Sequence, residues 1–153
     1  MIKKIAIAVV VILIAIQFIR VDTINPAPAP EKDFINVTQP SKEVADLLKT
    51  SCYDCHSNET KYPWYFNVAP VSWWLKNHIN EGREELNFSL WTDFDAKRKD
   101  KKLEESVELI NEGEMPMFSY TLTHKEAKLN AAQQKALNDY FTALRTFEKE
   151  EEE

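Results

Sequence analysis

Cys52-Tyr53-Asp54-Cys55-His56 carries both cysteines of the chain, and its spacing governs how the rest is read. Two thiols two residues apart, with a histidine directly following, form the C-x-x-C-H pattern of c-type haem attachment. Two sulfurs are needed to add across the two porphyrin vinyl groups. The short gap lets one turn of backbone present both to the same edge of the ring. The next residue, His56, then falls beneath the iron as its proximal ligand. Two other readings of the pair stand beside this one. A redox dithiol needs a βαβ setting, and no strand-rich, alternating segment precedes Cys52. A Cys2His2 zinc site needs a closely spaced histidine pair, whereas His78 and His124 lie far apart.

The composition agrees with a helical protein. Two glycines in 153 residues, with 29% charged residues, suit helices with short connections better than a sandwich of tight turns. The length fits one domain plus attachments. A net charge of −6 disfavours nucleic acid, because phosphate binding needs a basic face. Part of that charge is the run Glu148-Lys149-Glu150-Glu151-Glu152-Glu153, which reads as a solvated helix end.

The N-terminus speaks to compartment. Lys3 and Lys4 precede an uncharged aliphatic run from Ile5 to Ile19, closed by Arg20. Fifteen helical residues span about 22 Å, less than the roughly 30 Å hydrocarbon core, although basic flanks can snorkel. The run suits either an uncleaved anchor or a secretory signal. No small-residue cleavage site follows it directly, and the A-x-A form at Ala27-Pro28-Ala29 is distant and followed by Pro30. An uncleaved membrane anchor is the preferred expectation, with a cleaved signal and a soluble periplasmic domain as the alternative. Both export the domain, and the basic start keeps the N-terminus cytoplasmic.

Asn25-Pro26-Ala27-Pro28-Ala29-Pro30 reads as an extended spacer. Ser41 is expected to cap a helix whose Val44, Leu47 and Leu48 form an apolar stripe ending at Cys52. A second helix is expected from Ala69-Pro70 through Leu86, and a third over Asp93–Glu112 with Gly113 as its stop. Thr123 with Glu126 suggests a capping box. Asn130 is expected to cap a last helix carrying Leu137, Tyr140, Phe141, Leu144 and Phe147. Three of the four tryptophans lie among Trp64, Trp73 and Trp74. They are read either as ordinary core or as the wall of a flat macrocycle, with indole N–H groups reaching its propionates.

Haem iron has a sixth position, filled in electron-transfer cytochromes by a methionine thioether or a second histidine. Met115, directly before Pro116 in Glu112-Gly113-Glu114-Met115-Pro116-Met117, is the leading candidate. Met117, His78 and His124 remain alternatives, as does an open site. His56 is expected to donate its other ring N–H to a backbone carbonyl near Pro63–Pro70.

Several stretches together resemble the bacterial haem-binding domain family, a group of small exported cytochrome-c-like proteins. They are Cys52–His56 with Ser57-Asn58-Glu59-Thr60, Tyr62-Pro63-Trp64-Tyr65, Ala69-Pro70-Val71-Ser72-Trp73, Glu81-Gly82-Arg83 with Leu86-Asn87-Phe88, and Gly113-Glu114-Met115-Pro116. The resemblance covers roughly residues 35–145. It implies an all-α, cytochrome-c-like fold with one covalent haem c, attached by Cys52 and Cys55. It also implies ligation of iron by His56, with Met115 matching the methionine of the family's Met-Pro motif. Met117 stands where many relatives carry a second proline.

The chain is accordingly divided into an N-terminal anchor or signal helix (1–21), a Pro-rich linker (22–40), a c-type haem-binding domain (41–148) and an acidic tail (149–153). The expected function is single-haem electron transfer in the cell envelope, with a redox partner protein of unknown identity. A haem-based sensor or a peroxidase-like enzyme with a labile sixth ligand is the alternative, and catalysis the minority reading.

Overall fold

Helices begin where a side-chain oxygen is at hand to satisfy their first N–H groups. In the computed structural model, which describes the backbone of residues 1–150 and the side chains of residues 1–145, Asp33 caps α2 (Phe34–Thr38), Ser41 caps α3 (Lys42–Ser51) and Asp95 caps α6 (Ala96–Glu112). Helix α8 (Ala131–Glu150) opens on a reciprocal pair. The Gln133 N–H donates to Asn130 Oδ1 at 3.0 Å, and the Asn130 N–H donates to Gln133 Oε1 at 2.9 Å. Between these lie α1 (Ile2–Ala15), α4 (Tyr53–His56), α5 (Val71–Glu85) and α7 (Phe118–Thr121), joined by short 3-10 turns. No strand occurs among the described residues, so the all-α expectation holds. The Phe147 side chain and the acidic tail lie outside the described side chains.

Gly113 ends α6 in the left-handed region at φ 74°, a conformation cheap only for glycine. The third helix starts at Ala96 instead of Asp93, because residues Phe88–Asp93 form a 3-10 turn packed into the core. The capping box expected at Thr123 does not form. The Thr123 hydroxyl bonds the Tyr120 carbonyl and lies 3.2 Å from the Tyr65 hydroxyl, leaving a short 3-10 turn over Lys125–Ala127 without a side-chain cap.

The N-terminal anchor expectation is not supported. No helix among the described residues is long and apolar enough to cross a membrane. Helix α1 covers 14 residues, about 21 Å at 1.5 Å per residue. Beyond it the chain tightens into a 3-10 turn and is captured by the domain. Gln17 donates to the Ala69 carbonyl at 2.9 Å and accepts from the Ala69 N–H at 3.0 Å. Arg20 bonds the Asn67 carbonyl, and the Trp73 indole N–H bonds the Ile19 carbonyl. The Pro-rich segment is likewise held to the domain. Asn25 donates to the Thr60 carbonyl, and Asn58 reaches the Ala27 carbonyl.

The core sits where α2, α3, α6 and α8 meet the Phe88–Asp93 turn. Phe34, Leu48, Trp91, Leu103, Leu137 and Phe141 are essentially inaccessible to water. Phe34 meets Trp91 edge-on with centroids 4.8 Å apart, and Phe88 stacks on Tyr53 at 5.4 Å. The Tyr53 hydroxyl donates to the buried Asp33 carboxylate. One of the two residues between the thiols is thereby tied into the core.

Candidate functional site

Helix α3 delivers Cys52 at its C-terminal end, and the one-turn helix α4 closes the motif. The Cys55 and His56 N–H groups both donate to the Cys52 carbonyl, at 3.2 and 2.9 Å. Both cysteines are free and partly buried. Burial, reinforced by Cys55, pushes the Cys52 thiol up to about 12. Burial and the Asp54 charge raise Cys55 to about 11, with Arg83 opposing. Reactive dithiols have the reverse property, a depressed thiol pKa. Burial of this pair favours the protonated thiols instead. No group of three or more His, Cys, Asp or Glu side chains able to hold a metal ion occurs among the described residues.

His56 is fixed from behind by α5. Its Nδ1 lies 2.9 Å from the Gly82 carbonyl and 3.1 Å from the Leu86 carbonyl. Carbonyls only accept, so Nδ1 carries the proton and the Nε2 lone pair is left available to a metal. Burial lowers the His56 pKa, the two carbonyls oppose that, and the Lys102 charge adds to it. The ring is thus neutral at neutral pH, which is the ligating form. The carbonyl partners lie at Gly82 and Leu86, not near Pro63–Pro70 as expected. Helix α5 approaches so closely because residue 82 has no side chain: a Cβ there would stand 2.9 Å from the Cys55 carbonyl oxygen.

A cavity of about 490 Å³ opens in front of the motif, lined by Cys52, Cys55, His56, Met115 and Met117. Its volume lies within the range of small-molecule and cofactor sites. One stripe of α5 (His78, Glu81, Gly82, Glu85) faces one stripe of α6 (Lys102, Glu105, Ser106, Leu109) across it. Both follow the i, i+3, i+4, i+7 spacing of a single helix face. Apolar wall is supplied by Leu86, Phe88, Ile110, Leu129 and Phe141. No tryptophan lines it. Trp91 is core, Trp64 and Trp74 are exposed, and the Trp73 indole is spent on Ile19, so the macrocycle-wall reading of the tryptophans fails.

The candidates for the sixth position separate. The left-handed Gly113 turns the chain back, and the Glu114 and Met115 N–H groups both meet the Leu109 carbonyl, at 3.0 and 3.1 Å. That places Met115 over the cavity, with Met117 two residues on. Met117 also faces a smaller hollow of about 40 Å³ shared with Tyr65 and His124. His78 is in the main cavity wall, its Nδ1 2.9 Å from the Trp74 carbonyl. His124 lies outside that wall, with Nε2 2.7 Å from the Tyr65 hydroxyl.

Further residues hold the motif in place. Arg83 donates from Nε to the Ser57 carbonyl at 2.7 Å, and from Nη2 to Asn25 Oδ1 and Thr60 Oγ1, each at 2.9 Å. Asn87 bonds the Asn58 side chain, and the Asn58 N–H bonds the Ser89 hydroxyl. The Tyr120 hydroxyl donates to Asp54 Oδ2 at 2.7 Å, joining α7 to the attachment motif. Tyr120→Phe is expected to lower stability by about 1.5–3 kcal/mol, the range for a hydrogen bond to a charged group, as read from a urea melt. The sequence marks Ser57, Asn58, Thr60, Gly82, Arg83 and Asn87 only as parts of motifs. A glycine inside a helix was the one local sign of close packing.

A helical domain that gathers two thiols, a neutral imidazole and a thioether around one apolar cavity is a cofactor-binding domain. The chain belongs to the haem-binding domain family, whose family model matches residues 11–143. It therefore binds haem. No curated protein and no solved structure matches it.

Proposed function

We propose that the protein carries a single haem c, covalently attached through Cys52 and Cys55, and serves as an electron-transfer protein with His56 and Met115 as axial ligands. The observation that carries this reading is the meeting of all four side chains at one cavity of about 490 Å³, with the His56 Nδ1 proton already committed to two carbonyls. The donors fit the group: thiols for the vinyl carbons, and imidazole and soft thioether for the iron. When bound, haem supplies a reversible one-electron couple. The chain's own residues do the rest. Gly82 and Leu86 hold the imidazole at a fixed angle. The turn at Gly113 holds Met115. Leu109, Ile110, Leu129 and Phe141 exclude water and favour a raised potential.

The same proposal places the domain on the exported face of the inner membrane, in the cell envelope. Lys3, Lys4 and the apolar run after them support export, whether or not the N-terminal segment is removed. Function by electron exchange with a partner protein, without turnover of a substrate, completes it. Production with c-type maturation machinery is expected to give a coloured chain that keeps its haem after denaturation. Its reduced spectrum is expected to be low-spin and unaltered by carbon monoxide. Haem lost on denaturation would overturn the covalent reading, and ready carbon monoxide binding would overturn the six-coordinate carrier.

A further inference from the structure

The cavity has two chemically different ends. Cys52 packs against an apolar cluster that includes Ile110, Leu129 and Phe141, and all four line the cavity. The α5–α6 side of the wall is polar instead, with Glu85, Lys102, Glu105 and Ser106. Lys102 is the one Lys or Arg side chain in the wall among the described residues. Its side chain is only 12% exposed, and its Nζ lies 3.0 Å from Glu85 Oε2 and 2.8 Å from Glu105 Oε2. The carboxylates themselves reach solvent, with side chains 76% and 36% exposed. The lysine side chain, more than those of its partners, is packed along the wall, with its ammonium held between the two carboxylates. Water solvates two outward-facing glutamates once they are released, so the ammonium can pass from one of them to another carboxylate that enters the cavity.

Haem has the same asymmetry as the cavity, with vinyl groups toward one edge and two propionates at the opposite edge. Seating the vinyl edge at Cys52 and Cys55 turns the propionates away from the apolar cluster and toward the polar end. Glu81 and Glu108 also face the cavity and would repel a propionate, which leaves Lys102 to offset its charge. We propose that Lys102 is the anchor of a haem propionate, exchanging Glu85 or Glu105 for that carboxylate when haem is seated. The inference rests on the covalent haem reading above. Ser106, whose hydroxyl donates to the Lys102 carbonyl at 2.7 Å, secures the same turn of α6.

The test uses the matured, haem-bearing protein with Lys102→Met and Lys102→Arg, read by resonance Raman spectroscopy and potentiometry. Lys102→Met is expected to shift the propionate bending band and to lower the reduction potential, because a positive charge beside the haem is lost. Lys102→Arg is expected to retain both near the wild-type values. In the wild type itself, transfer to heavy water is expected to move the band, since an ammonium exchanges its protons. A band indifferent to heavy water overturns the proposal even where Lys102→Met does not fold. A haem-bearing Lys102→Met protein with wild-type band and potential overturns the proposal alone. A wild-type chain that takes up no covalent haem overturns the proposal together with the reading beneath it.

Discussion

Gly82→Val is expected to destabilise the chain by about 2–3 kcal/mol and to abolish most haem attachment. A Cβ at position 82 would meet the Cys55 carbonyl oxygen at 2.9 Å. The obstacle is backbone, not the movable end of a side chain, so α5 or the one-turn helix α4 has to shift. Overpacking of this kind costs about 1–3 kcal/mol, and it outweighs the modest helix-propensity gain from replacing glycine. The same shift withdraws the Gly82 and Leu86 carbonyls from His56 Nδ1, which stand at 2.9 and 3.1 Å. The imidazole then loses its tautomer and its aim. A urea melt of the unmatured chain reads the first effect, and the fraction of haem retained after denaturation reads the second. Wild-type values for both would mean that the close approach of α5 is not needed to build the site.

Met115→Ala is expected to lower the reduction potential by on the order of 0.1 V, since thioether ligation raises the potential of haem iron. It is also expected to let carbon monoxide bind to the reduced protein. Met117→Ala is expected to change little. Both methionines line the cavity and both have bonded backbones, the Met115 N–H at the Leu109 carbonyl and the Met117 carbonyl at the Tyr120 and Thr121 N–H groups, but Met117 also faces the second hollow beside Tyr65 and His124. The opposite pattern, with Met117→Ala collapsing the potential, would assign the sixth position to Met117. No effect from either substitution would point to His78, the other candidate in the wall, or to an open iron.

Local pattern carried much of this reading. The stripe Val44, Leu47, Leu48 turned inward as its helical spacing required, and all three are buried. Ser41, Gly113 and Asn130 start or stop helices by chemistry contained within four residues. The failures share a cause. Thr123 had the right neighbour for a capping box, yet its hydroxyl was claimed by Tyr120 and Tyr65, the latter 58 residues away in sequence. The tryptophans had the apolar, planar character expected of a macrocycle wall, yet Phe141 and Leu129, from the far end of the chain, line the cavity in their stead. The N-terminal run reads as an anchor from its apolar composition, its length and its basic flanks. Where its helix ends is set in part by Gln17 meeting Ala69.

What the sequence determined by itself is the chemistry of the site's centre. Two thiols and an imidazole within five consecutive residues cannot be separated by any fold, because the backbone that joins them is too short. The donors that must be matched to them from a distance were decided only in three dimensions. The Gly82 and Leu86 carbonyls reach His56 because α5 crosses the motif without a side chain in the way. Lys102 faces the cavity because the buried Leu103 and Ile110 fix the rotation of α6 against the core. Such partners carry no mark in the local sequence, since a carbonyl belongs to every residue and a lysine on a charged helix resembles its neighbours. Packing selects them, by setting which helix faces which and at what distance.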